Sequence, residues 1–312
     1  MQNSQNTNTE ADYLSLSYLL NLIKNYFNIL LLIGFLSGAF SVFYALSLND
    51  YYTSSAKFVP VTNTQESTDL GGIAGMAAGL GLGLGDASGG KMNLVLEVLE
   101  STDFFNELYL DEKFIIELSA IDAYDRDNKT VSIDSEIYNI NKSEWIENTN
   151  KFTKTEKPSL LEAKEKFHSD HLAFAVDIET NFLSIEITHA SPFIAQEWLT
   201  RVYKLVDEYI QIRDVQDLKE TITYIDNQIE QSNSNQVRRA LSNILESQMK
   251  TLMLSEVSSG YVIKVLDSPS FPELKSGPGR AIICIVLTFL GSLLGYFFVL
   301  LWDLNKSRRF LG

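Results

Sequence analysis

One cysteine in 312 residues, Cys284, cannot close an intrachain disulfide, and it sits inside an apolar run. A disulfide scaffold and an external thiol nucleophile are therefore both excluded. Basic charge is also scarce: 25 Lys and Arg stand against 40 Asp and Glu, a net charge of −15 with a pI near 4.7. Phosphate backbones require concentrated Lys and Arg, so nucleic acid is not a partner. No Gly-x-Ser-x-Gly occurs, and carboxylate pairs such as Glu117 and Asp122 are too common in an acidic chain to nominate a dyad. The chain reads as a non-enzyme with no cofactor.

Apolar runs, in contrast, are long. Residues 27–48 and 281–301 are each long enough to cross a bilayer, since about 20 residues at a 1.5 Å rise span its roughly 30 Å hydrocarbon core. Lys306, Arg308 and Arg309 follow the second run and Lys24 precedes the first, which favours both termini in the cytoplasm. Lys275 and Arg280 lie on the other side of this balance. A cleaved signal peptide, with Ala45-Leu46-Ser47 as its processing site, would have a shorter apolar core and a more basic start, so an anchor fits better. The expected organisation is a cytoplasmic tail (1–26), a span (27–48), a periplasmic domain (49–280), a second span (281–301) and a short cytoplasmic tail (302–312).

Within the domain, residues 51–61 read as a strand leaving the membrane, and 260–267, with alternating Tyr261, Ile263 and Val265, as a strand returning to pair beside it. Residues 71–90 are a Gly, Ala and Leu run, too glycine-rich for a stable helix. Residues 91–109 fit two short helices, the second capped by Ser101, and the polar stretch 122–157 reads as loops. Ser159 and Glu162 have capping-box spacing for a helix to about Phe167, and the alternating segments 172–177 and 182–189 form a hairpin around Glu179-Thr180-Asn181. Ser191-Pro192 opens a helix to about Gln231, and a second helix follows the break at 232–235. Their apolar residues, Val215, Leu218, Ile222, Ile225 and Ile229 among them, recur in steps of three and four, which suits a helical hairpin, another subunit, or both. The fold class is α+β: two transmembrane helices flanking a periplasmic domain with a membrane-proximal mixed sheet and a long projecting helical arm over about 192–258.

Three constellations bear on chemistry. Gly85, Gly90 and Lys91 match a P-loop, but Met92 stands where Mg²⁺ needs a hydroxyl. Glu165-x-x-His168, with His171 nearby, has helical metal-ligand spacing but lacks a second ligand set, and His189 has no ligands beside it. No metal is expected. The more specific constellation is Pro269-x-x-Pro272 followed by Gly277-Pro278, a stiff elbow ahead of the second span. Gly291-x-x-x-Gly295 in that span and Gly34-x-x-x-Gly38 in the first permit close helix approach, within one subunit or between neighbours.

This order of features resembles the Wzz family of polysaccharide co-polymerases. That family's C-terminal pattern is Pro-x-x-Pro, four residues, Ser-Pro-Lys, eleven residues, then Gly-x-x-x-Gly. Pro269, Pro272, Pro278, Gly291 and Gly295 match its spacing, while Gly277 and Gly279 replace the usual Ser and Lys. The resemblance implies a homo-oligomeric ring in the bacterial inner membrane that works with the O-antigen polymerase on lipid-linked polysaccharide and sets lipopolysaccharide O-antigen chain length. It also implies long helices reaching into the periplasm. The related tyrosine kinases add a cytoplasmic nucleotide-binding domain, which this chain is expected to lack. The alternative within the same architecture is an adaptor for capsule or exopolysaccharide export. A two-span sensor and an ion channel fit less well, because the last tail is short and neither span has a polar, acidic face.

Overall fold

The computed structural model describes residues 22–61, 87–126, 128–146, 157–258 and 260–310. The chain divides into two compact units, one of residues 51–275 and one of residues 1–50 with 276–312.

The second of these holds helix α1 (Phe27–Ser47) and the last helix, α8 (Arg280–Phe310). Both carry windows long and apolar enough to cross a membrane. Their outward residues, such as Phe35, Phe43, Phe289 and Phe298, are exposed. A continuous apolar surface of that kind suits hydrocarbon rather than water. The last helix continues beyond the span's expected end at residue 301, through the basic segment 306–309, to Phe310.

Residues 51–275 are built on a four-stranded sheet. Strand β1 (Tyr52–Pro60) takes β7 (Leu183–His189) on one side and β8 (Ile263–Asp267) on the other, so the leaving and returning strands pair as expected. Strand β6 (Leu172–Val176) completes the edge through the expected hairpin, whose turn places Asn181 at φ 55°. Every pair is antiparallel, which corrects the expectation of a mixed sheet. Hairpin closure fixes β6 against β7, and β1 runs opposite to both of its neighbours.

Alternation gives the sheet one apolar face: Ala56, Phe58, Leu183, Ile185 and Ile187 are all buried. Helix α6 (Pro192–Gln231) crosses that face, burying Ala195, Trp198, Leu199, Val202 and Val206. The core is completed by α2 (Ala87–Glu100), α3 (Thr102–Tyr109), α4 (Glu112–Ser119) and α5 (Leu160–Lys166). Ser101 accepts the Phe104 N–H, and Ser159 with Glu162 forms the full capping box. Helix α4 was not foreseen; Asp111 caps it by accepting the Lys113 N–H. Most of the glycine run lies outside the described residues, but Ala87 to Gly90 are helical, against expectation. The stretch read as loops contains two small hairpins, β2 (Ile121–Asp125) with β3 (Thr130–Ile133), and β4 (Tyr138–Asn139) with β5 (Glu144–Trp145).

At 40 residues, α6 extends about 60 Å. Beyond Ile210 its burial fades, and α7 (Asn235–Val257) folds back along it as the expected hairpin. Lys219 pairs with Glu256 at 2.9 Å, and the Gln211 amide donates to the Ser255 carbonyl at 2.6 Å. Where α7 hands over to β8, Asp207 accepts the backbone N–H groups of Tyr261, Val262 and Ile263 at 2.9, 2.8 and 3.3 Å. Gly260 turns there at φ 73°, with the Ile263 carbonyl 3.1 Å from where a Cβ would sit. This carboxylate locks the base of the hairpin to the sheet.

Candidate functional site

The two glycine pairs face each other's helices. A Cβ on Gly291 would lie 2.5 Å from Ser37 Cβ, and one on Gly295 would overlap Ile33 Cγ2. Gly34 and Gly38 are roomier, with Ser292 Oγ at 3.5 Å and Thr288 Cγ2 at 3.8 Å from the same positions. Within the chain, Ser37 and Ile33 of the first span fill the space that Gly291 and Gly295 of the second leave open.

Hydroxyls line the same seam. Ser41 Oγ donates to the Gly38 carbonyl at 2.8 Å and lies 3.0 Å from Thr288 Oγ1, while Ser37 Oγ donates to the Gly34 carbonyl at 3.0 Å. Ser292 Oγ donates to the Thr288 carbonyl at 2.8 Å. Each hydroxyl thereby satisfies its donor inside an apolar medium, where an orphan donor costs several kcal/mol by the usual order of magnitude. At one end, Arg280 pairs with Asp50 at 3.0 Å and donates to the Leu48 carbonyl at 3.0 Å. At the other, Tyr26 Oη donates to Asp303 Oδ1 at 2.8 Å. Reading the sequence for glycines alone missed these serines, although Gly34-x-x-Ser37 and Gly38-x-x-Ser41 are visible signals.

The proline segment spans the boundary of the two units: Pro269 and Pro272 belong to 51–275, and Pro278 to the unit of the spans. Having no N–H, a proline leaves sheet pairing to its neighbours. Ser270 does that work, its N–H donating to the Ser55 carbonyl at 3.0 Å and its carbonyl accepting Ser54 Oγ at 2.7 Å. The Pro269 carbonyl accepts the Gln196 amide at 2.9 Å, and Pro272 is buried. The chain after β8 is thus fastened along β1 and to the start of α6. The Gly277-Pro278 peptide is cis.

The remaining candidates separate. Lys91 lies on α2 with its ammonium 5.1 Å from the Tyr261 ring centre, and Gly85 lies outside the described residues. Among the described residues no group of three or more His, Cys, Asp or Glu could hold a metal. His171 leaves Glu165 and His168 and stacks on His189, ring centres 5.5 Å apart, against Trp198. His189 accepts the Ser191 N–H on Nδ1 at 3.0 Å and donates from Nε2 to the Glu117 carbonyl at 3.2 Å, which fixes its neutral tautomer. Burial, helped by the neighbouring His171, pulls its pKa down to about 4. Trp198 Nε1 donates to Glu117 Oε2 at 2.9 Å, while burial pushes that carboxyl's pKa up. This cluster is core structure in which both ring nitrogens of His189 are occupied.

No family model matches the chain, and no curated protein matches it. Among solved structures, a full-length bacterial polysaccharide co-polymerase aligns with 94% of this chain and 99% of its own, at 13% identity and a TM-score of 0.41. Likeness at that level is too distant to assign function, which has to rest on the chain's own residues.

Proposed function

We propose that the chain regulates surface-polysaccharide length as a homo-oligomeric inner-membrane co-polymerase, acting with the polymerase that extends lipid-linked polysaccharide, O-antigen first among them. The observation that supports this reading is the proline and glycine signature. Pro272 is buried, and Gly291 and Gly295 are the positions where the second span admits the first. In this proposal Pro269, Pro272 and Pro278 set the geometry between domain and spans, and Gly34, Gly38, Gly291 and Gly295 pack the spans. The basic residues at the chain ends favour cytoplasmic termini and a periplasmic main domain.

Such a protein contributes geometry rather than bond-making. Its role is to hold the polymerase and growing glycan in a defined arrangement, with the roughly 60 Å helix α6 as the longest element available for it. Photo-crosslinking in cells from the lipid-facing positions Phe35 and Phe298 tests the assignment. Capture of the polymerase is the expected result. Capture of an outer-membrane export channel from the hairpin, with no polymerase from the spans, would overturn it in favour of an export adaptor.

A further inference from the structure

A cleft in the unit of residues 51–275 borders the proline segment. Tyr52 at the start of β1, Tyr124 on β2, Phe193 in the first turn of α6 and Phe271 in the proline segment form a ladder of rings. Centre-to-centre distances along it are 6.0, 6.4 and 5.0 Å. These side chains line a hollow of about 270 Å³, walled also by Pro272 and completed by Arg126, Lys129 and Glu273. Tyr52 is buried at the inner end, whereas Phe193 and Phe271 each keep 43% of their surface exposed. Two adjacent phenyl rings left open to solvent withhold apolar area that folding would otherwise bury. Arg126 is tethered at the wall by donating from Nη2 to the Glu273 carbonyl at 3.1 Å. Two cations against one carboxylate give the hollow a positive balance, on a chain whose net charge is −15.

This combination selects among occupants. An acyl chain would use the rings and gain nothing from the cations. An extended peptide cannot add as a strand at β1, which is paired on both sides by β7 and β8. A pyranose ring presents an apolar C–H face that stacks on the negative face of a phenyl ring, and a phosphate or carboxylate on that sugar meets Arg and Lys geometry directly. We propose that this cleft binds an anionic saccharide, one sugar ring against Phe193 and Phe271 and its acidic group at Arg126 and Lys129. The choice of a saccharide over another ring-bearing anion rests on the length-control reading; the stacking surface and the charge do not. The volume suits a single ring, so the cleft holds one residue of a glycan and not a long segment.

The test is saturation-transfer NMR on the full chain in phosphatidylcholine nanodiscs, with glucose 1-phosphate as probe and glucose, inorganic phosphate and adenosine monophosphate for comparison. Glucose 1-phosphate is expected to bind best, with saturation reaching its ring C–H protons. Arg126→Gln is expected to weaken it roughly tenfold, the scale of a lost charged hydrogen bond, and Phe271→Ala by roughly as much through the lost ring contact. Lys129→Gln, at an exposed turn, gives a second variant that leaves the fold untouched. Phosphate binding as tightly as the sugar phosphate, preference for adenosine monophosphate, or unchanged binding in all three variants would overturn the proposal. Displacement by a polyprenyl-phosphate sugar placed in the disc would identify a membrane-tethered source; no displacement would identify a soluble one. If binding holds while deletion of the gene leaves glycan length unchanged, the length-control reading falls and the cleft stands. A length effect without binding is the converse.

Discussion

Alanine at the four span glycines should divide them into two classes of opposite sign. Carbon atoms pack at about 3.5–4.0 Å, so a Cβ on Gly291, 2.5 Å from Ser37 Cβ, forces the helices apart by about 1 Å. Ser37 Cβ is attached to backbone and cannot swing aside. Ile33, which meets Gly295, is β-branched and nearly confined to one rotamer on a helix. Overpacking costs about 2 kcal/mol per site at mid-range, and replacing glycine in a helix returns about 1 kcal/mol. Gly291→Ala with Gly295→Ala should therefore lose about 2 kcal/mol in total. At Gly34 and Gly38 the nearest atoms are at 3.5 and 3.8 Å, ordinary contact, so only the propensity gain remains. That pair should be neutral or gain up to about 2 kcal/mol.

Cys284 supplies the assay. It is the only thiol in the chain and half-buried beside the seam, with its Sγ 3.8 Å from the Ser41 carbonyl. A fluorogenic thiol dye in a thermal ramp reports when the spans separate. The Gly291/Gly295 double variant should label at lower temperature than the wild type, and the Gly34/Gly38 variant at the same or higher temperature. Equal destabilisation by both pairs would refute the seam, because it would mean that the first-span glycines meet something other than Thr288 and Ser292.

Three further outcomes are expected. Because the His189 pKa is about 4 when folded and near 6.5 when unfolded, the unfolded chain binds the extra proton between those values, so stability falls as pH drops from 6.5 towards 4. The loss is about 3 kcal/mol at most, and His189→Gln should flatten the slope of urea-unfolding stability against pH over that window. Asp207→Asn removes a charged acceptor shared by three N–H groups and should cost about 2–4 kcal/mol in thermal unfolding; an unchanged transition would show that the turn is held by other contacts. Pro269→Ala with Pro272→Ala should shift the glycan-length distribution at unchanged protein level, and no change in either length or oligomer size would dismiss the elbow.

Local signals carried much of the fold. Ser159 with Glu162 and Ser101 mark helix starts because capping chemistry is confined to a few residues, Pro192 marks another at the first helical position although the Ser191 side chain makes no cap hydrogen bond, and the hairpin of β6 and β7 closes over one short turn. What stayed hidden depends on partners far away in sequence. The antiparallel order of β1 between β7 and β8 joins residues far apart in sequence, such as Ser54 with Ile187 and Phe58 with Val265. Strands β2 and β3 are only five and four residues long, too short for an alternating pattern such as Thr130-Val131-Ser132-Ile133 to stand out from the polar stretch around it. At the span seam the glycine spacing was legible, but the division between tight Gly291 and Gly295 and roomy Gly34 and Gly38 arises from the side chains opposite. The aromatic cleft was invisible for the same reason: its rings come from four separate elements, none with a motif of its own.

The central claim is tested most directly by deleting the gene, restoring it on a plasmid, and resolving surface polysaccharide by size on a gel. Length control predicts loss of a preferred band with synthesis continuing, and return of the band on complementation. An unaltered size profile, or complete loss of surface glycan with polymer held inside the cell, would contradict it.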